Sequence, residues 1–151
     1  MMRTIWLSGP EWLAVLRIGL GLWWLESWRH KDKKAWLERN TGITWAAGVA
    51  AKHRWAFVRG GFGAVVGSRP KLMAYVVLYA ELAIGLGLVL GFLTPIALIG
   101  GALLNLLYFV LMIHDWAEQG QNSMMVLISL VALLGMSWQT WALDEAWGLF
   151  L

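Results

Sequence analysis

The stretch that decides the fold is Arg69–Leu93, RPKLMAYVVLYAELAIGLGLVLGFL, an apolar run interrupted by a single carboxylate, Glu81. At a rise of ~1.5 Å per residue, ~20 helical residues cross a ~30 Å hydrocarbon core, so this run is long enough to span a bilayer. A carboxylate at that depth costs ~2.5–3.5 kcal/mol and is expected to face other protein groups rather than lipid. The rest of the chain must supply Glu81 with a partner.

Composition agrees with a membrane location. Of 151 residues, 60% are hydrophobic and only 14% charged, and the mean hydropathy is +0.63, outside the range of soluble globular domains. No cysteine is present, which excludes disulfides, thiolate metal sites and covalent haem attachment. The net charge of +3 does not indicate a nucleic-acid partner, because the cations gather in one inter-helical region and read as membrane-surface charge. A cleaved signal peptide is not expected, since the first apolar run contains Arg17 and no small-x-small site follows it promptly.

Outward from Arg69–Leu93, four helices are predicted, at about 10–28, 71–92, 94–113 and 122–143, making residues 1–151 one domain. Ser8-Gly-Pro10-Glu11 has the makings of a helix start, and Arg17, Gly21, Trp24 and Trp28 share one face that should point inward. Trp23, Trp24 and Trp28 near the basic boundary suggest an aromatic belt. RHKDKK, from Arg29 to Lys34, cannot enter hydrocarbon and ends the first helix. Residues 35–68 mix Trp and aliphatics with Lys52, Arg54 and Arg59 and read as one or two interfacial amphipathic helices. Arg59-Gly-Gly-Phe-Gly63 is the expected break after them. Gly87-x-x-x-Gly91, Gly100 and Gly101 allow close helix approach. His114 to Asn122 reads as a polar junction, and Trp138 and Trp141 as anchors, with Asp144 and Glu145 outside. The fold class is therefore all-α, an integral membrane four-helix bundle with an interfacial segment between its first two helices.

Ten of the twelve Lys and Arg residues lie between Arg29 and Lys71, which places that loop in the cytoplasm and both termini outside. Counted from the basic side, Arg17 is eleven residues from Trp28, Glu81 nine from Leu72 and Asn105 eight from Ile113. These separations correspond to ~16, ~14 and ~12 Å. Arg17 and Glu81 are thus expected to pair across the first two helices, either fixing register or lining a site. Asn105 shares their layer, which would open toward Tyr108, His114, Asp115, Gln119 and Asn122. Such a pocket offers donors to the carbonyls of a flat polar ring, a quinone above all, with His114 and Asp115 as the proton entry. No nucleotide fingerprint or paired-histidine haem site is evident, so no flavin, haem or metal is expected.

Leu16-Arg17-Ile-Gly19, the run Tyr79-Ala-Glu81 through Gly91-Phe-Leu-Thr94, Asn105-Leu-Leu-Tyr108 and Glu118-Gln-Gly-Gln-Asn122 together resemble the DoxX/DoxD family of small four-helix membrane proteins. That family includes the membrane subunit of thiosulfate:quinone oxidoreductase. The family's lysine at the end of helix one has an approximate equivalent in Lys31. The resemblance implies a multi-pass subunit in a bacterial or archaeal cell membrane, supplying the anchor and quinone pocket of a quinone-linked oxidoreductase, with lipids and other membrane or peripheral subunits as partners. The alternative is a non-catalytic accessory or assembly subunit of a respiratory or photosynthetic complex. A small-solute or proton pathway is a further alternative, for which four helices and one polar layer are few.

Overall fold

The computed structural model describes residues 6–150, and these are helical with no strand. In chain order they form α1 (Gly9–His30), α2 (Lys33–Arg39), α3 (Thr41–Ala51), α4 (Ala56–Phe62), α5 (Pro70–Leu90), α6 (Thr94–Leu111), α7 (Trp116–Leu134) and α8 (Leu143–Ala146). A π-helical stretch, Gly63–Gly67, continues α4, and a 3-10 turn, Ser137–Gln139, follows α7. The four long helices pack as a ring: α1 on α5, α5 on α6, α6 on α7 and α7 back on α1. Two of them, α5 and α6, are long and apolar enough to cross a membrane. The other two carry more polarity, through Arg17, Glu26 and Arg29 in α1 and the Glu118–Asn122 run in α7.

Each long helix turns one stripe inward, at steps of three and four. On α1 the stripe is Ala14, Arg17, Leu20, Gly21 and Trp24, and on α5 it is Ala74, Leu78, Glu81, Ile84, Gly85 and Leu88. This is the helical repeat that brings successive turns onto one face. The outer faces are apolar as well, with Leu22, Leu86, Ile99, Leu103, Leu127 and Leu134 exposed. The start of α1 is the one its sequence suggests: the Ser8 main-chain N–H and Oγ both donate to Glu11 Oε2, at 2.6 and 2.8 Å.

Two glycines set the register of α1 on α5. A Cβ at Gly21 would lie 2.8 Å from Val89 N, and one at Gly85 would lie 2.7 Å from Leu25 Cδ2. Gly21 therefore sits opposite Val89 and Gly85 opposite Leu25. One step of four further along both helices puts Glu81 level with Arg29, and the reverse step puts Arg17 level with Leu93. Arg17 and Glu81 are consequently twelve residues apart along α1, ~18 Å at 1.5 Å per residue. The expected Arg17–Glu81 pair does not form. Equal depth assumed that α1 ends where α5 begins, whereas α5 starts almost three turns beyond α1 and packs that extension against α2 and α3.

Arg17 instead holds the chain's far end. Its Nε donates to Leu88 O (3.0 Å), Nη1 to Ser137 O (2.6 Å) and Thr140 O (3.2 Å), and Nη2 to Trp141 O (2.7 Å). These carbonyls belong to the last turn of α5 and to the hairpin that folds back after α7. Asp144, expected outside, is fully buried. Its carboxylate accepts from Leu93 N and Thr94 N, both at 2.7 Å, capping α6. Leu93 sits at φ 50°, a left-handed conformation that costs a side-chain-bearing residue ~1–2 kcal/mol, and the two charge-assisted bonds offset that cost.

Several boundaries differ from those predicted. The fourth long helix begins at Trp116 rather than near 122, because Asp115 is its N-cap, accepting from Ala117 N (3.0 Å) and Glu118 N (3.2 Å). The polar junction is thus mostly the first two turns of α7. That helix ends at Leu134, where Gly135 and the left-handed Met136 (φ 54°) turn the chain. The interfacial region contains three short helices, and Arg59–Gly63 does not break it: the backbone stays helical through the glycines and breaks only before Pro70. Trp24, placed at the membrane boundary by its position, is 2% exposed and belongs to the core.

Candidate functional site

The buried carboxylate meets its partners at the end of the ring opposite Arg17. Lys31 follows the last turn of α1, and its side chain runs back toward the helix. Its ammonium donates to Ser27 Oγ (3.1 Å) and to Glu81 Oε2. Tyr108, on α6, donates its hydroxyl to Glu81 Oε1 at 2.9 Å. Glu81 is 1% exposed and the Lys31 side chain 17%, so the pair lies at the inner margin of the basic segment with its cation nearer the outside. Lys31 also lies 5.2 Å from the centroid of the Trp36 ring, within cation–π range.

Trp36 ties α2 to α5 through Nε1, which donates to Ala74 O at 2.9 Å. Gly42 makes room for its ring, since a Cβ there would lie 2.0 Å from Trp36 Cζ3. Close by, His53 is 1% exposed. Its Nδ1 accepts from Trp55 N (3.1 Å) and its Nε2 donates to Val110 O (3.0 Å), so this neutral tautomer clamps the interfacial helices to the end of α6.

Between the interfacial segment and the helix ring lies a cavity of about 540 Å³. Its wall is mainly apolar, with indoles from Trp23, Trp24, Trp36 and Trp45, and its polar groups include Lys31, Glu81, Asn105, Tyr108 and Asn122. This size and character are those of small-molecule sites, in which a few placed polar groups orient a largely apolar ligand. α3 and the π-helical stretch supply one side of the wall through Trp45, Ala46 and Val65. The short helices thus close a pocket as well as lying beside the ring.

Four of the eight residues expected to form the pocket line it: Glu81, Asn105, Tyr108 and Asn122. The other four are elsewhere. Arg17 is in its carbonyl cage. His114 is exposed, with its ring 5.8 Å from that of His53. Asp115 caps α7, and Gln119 Nε2 donates to Ile113 O at 2.9 Å. The salt bridges among the described residues leave Asp115 and Glu118 without a basic partner. His114 and Asp115 are not in the cavity wall.

Lys31 and Trp36 are the site residues that spacing alone did not pick out. Lys31 was hidden in a run of surface cations, and its distinction is geometric: it is the first residue past α1 and the one whose stem reaches Glu81. Among the wall residues, Trp24 Nε1 and Asn105 Nδ2 are buried N–H groups without a hydrogen-bond partner. No family model matches this chain, and no characterised protein or solved structure matches it at a significant level.

Proposed function

We propose that the chain is a DoxX/DoxD-like membrane subunit of a quinone-linked oxidoreductase, possessing four spans and contributing the anchor and the quinone pocket. The observation that carries this reading is the indole-walled cavity bordered by the Lys31–Glu81–Tyr108 set. The outward faces support the membrane part. Only about 39% of the apolar window of α5 or of α6 is buried, whereas the core helix of a soluble domain hides most of its apolar surface, and contiguous exposed apolar faces of this extent mark a lipid boundary. The cation count then orients the cavity toward the cytoplasm.

In this reading the quinone ring stacks among the indoles and its carbonyls meet N–H and O–H donors. Reduction to the quinol takes two electrons and two protons. The electrons come from a redox cofactor on a partner subunit, and the protons pass through Glu81 and Tyr108, whose hydrogen bond already joins a carboxylate to a hydroxyl at the cavity wall.

The test is purification in mild detergent followed by extraction and mass spectrometry of bound quinone, beside the variant Ala46→Phe, which fills the cavity from α3. About one quinone per chain is expected in the parent and markedly less in the variant. Equal quinone in both, or none in either, would remove the pocket from the account and leave the accessory-subunit role.

A further inference from the structure

We infer that Trp24 and Asn105 form a donor pair that recognises the cavity's occupant through a carbonyl-type acceptor oxygen. This rests on the cavity being a ligand pocket, and names what that pocket selects. Trp24 is 2% and Asn105 1% exposed, and both belong to the cavity wall. The Trp24 ring reaches α6 at Gly101. A Cβ at Gly101 would lie 3.3 Å from Trp24 Nε1, and Asn105 follows Gly101 by one turn of α6, on the same face. Neither Trp24 Nε1 nor Asn105 Nδ2 has a hydrogen-bond partner. Buried polar groups are nearly always paired, so two unpaired N–H groups in one cavity wall call for an acceptor that binds there.

The neighbouring polar atoms define what kind. Glu81 is filled on both sides, Lys31 donating to Oε2 and Tyr108 to Oε1. Asn122 Nδ2 is taken by Glu118 O at 2.7 Å. Among the fully buried atoms of the wall, the unmet capacity is thus N–H donation from an indole and an amide. Both are neutral groups, suited to a ketone, quinone or ester oxygen; the single cation, Lys31, is already neutralised by Glu81, so a second carboxylate would enter without a counter-charge. An oxidised quinone brings two such oxygens, whereas its quinol brings hydroxyls that are poorer acceptors and carry donors of their own. The ester carbonyl of a phospholipid acyl chain has the same chemistry and is the other source.

The experiment uses the full chain in nanodiscs, loaded separately with decylubiquinone and with dioleoylphosphatidylglycerol, each ¹³C-labelled at its carbonyls. Infrared difference spectra are taken on the parent, Trp24→Phe and Asn105→Leu. In the parent, the bound carbonyl band is expected at lower frequency than for free ligand. Each variant should lose that shift and retain the ligand roughly 3- to 10-fold less well. The parent should also hold decylubiquinone more tightly than its quinol. Asn105→Leu replaces an unpaired polar group by apolar atoms of the same branching, so without ligand it should melt no lower than the parent. A shifted band for the lipid alone would keep the donor pair and replace the quinone. A quinone band that stays shifted in both variants, or one unshifted in the parent although quinone is bound, would overturn the donor pair while leaving the pocket. Binding of neither ligand would overturn both.

Discussion

At one end of the helix ring Arg17 is enclosed by four main-chain carbonyls; at the other, Lys31 meets a carboxylate beside an open cavity. Arg17 comes from within α1 and Lys31 from the residue that follows it. The Arg17 end spends its donors on the chain itself. Three guanidinium nitrogens satisfy carbonyls of α5 and the C-terminal hairpin, and Asp144 caps α6 from the same hairpin. The Lys31 end keeps its polar groups along the wall of a cavity and leaves two N–H groups unused. The difference teaches that a buried charge in a membrane-type helix need not signal a site: what separates the two ends is that the Arg17 donors are consumed by main-chain carbonyls of the chain itself, whereas the Lys31–Glu81 pair borders a cavity.

Substitutions at the two ends should therefore behave differently. The largest effect is expected for Arg17→Met, which strands the carbonyls of Leu88, Ser137, Thr140 and Trp141 and should cost at least about 3 kcal/mol. Trp-fluorescence melting in detergent would show it as a loss of folded yield, with Arg17→Lys recovering only part because an ammonium has three donors and no planar fork. At the other end, Tyr108→Phe removes one bond to a charged group, an expected loss of about 1.5–3 kcal/mol by the same measurement. Asp144→Ala removes two buried bonds to a charged group as well as a cap and should cost at least about 1.5–3 kcal/mol, while leaving ligand retention unchanged. Reduced retention in Asp144→Ala with normal folding would show that the two ends are not separate. Gly42→Ala pushes a methyl into the Trp36 ring and should cost about 1–3 kcal/mol. Its signature is a Trp emission change together with reduced ligand retention, since Trp36 walls the cavity.

Much of this arrangement was legible before any coordinates. Helical periodicity identified the inward face of α1, the Ser8 start, and the shared side of Asn105 and Tyr108. The rarity of a carboxylate in an apolar run singled out Glu81. The stagger of α1 on α5 was not legible, because it is set by which glycines meet which backbone, Gly21 on Val89 and Gly85 on Leu25, and hydropathy carries no such information. An error of almost three turns moved Arg17 from its carbonyl cage to a carboxylate it does not meet. The fold-back after Leu134 was hidden for a related reason: Gly135, Met136 and Ser137 lie in a run whose composition continues the apolar helix, and the turn depends on Arg17 and Asp144 waiting for it. Asp115 carried a readable signal, an N-cap residue followed three positions later by Glu118, but the polarity of the next turns masked the helix behind it.

The central claim is that Glu81 belongs to Lys31 and not to Arg17, and a pair of double-mutant cycles tests it most directly. Folding free energies would be measured for Glu81→Gln, Lys31→Met, Arg17→Met and the two doubles containing Glu81→Gln. Losing either partner of a buried pair strands the other at about 3–5 kcal/mol, so the Lys31–Glu81 double should cost clearly less than its two singles added together. The Arg17–Glu81 double should be additive within about 0.5 kcal/mol, as for residues well over 10 Å apart. Additivity at Lys31–Glu81 together with coupling at Arg17–Glu81 would contradict the account.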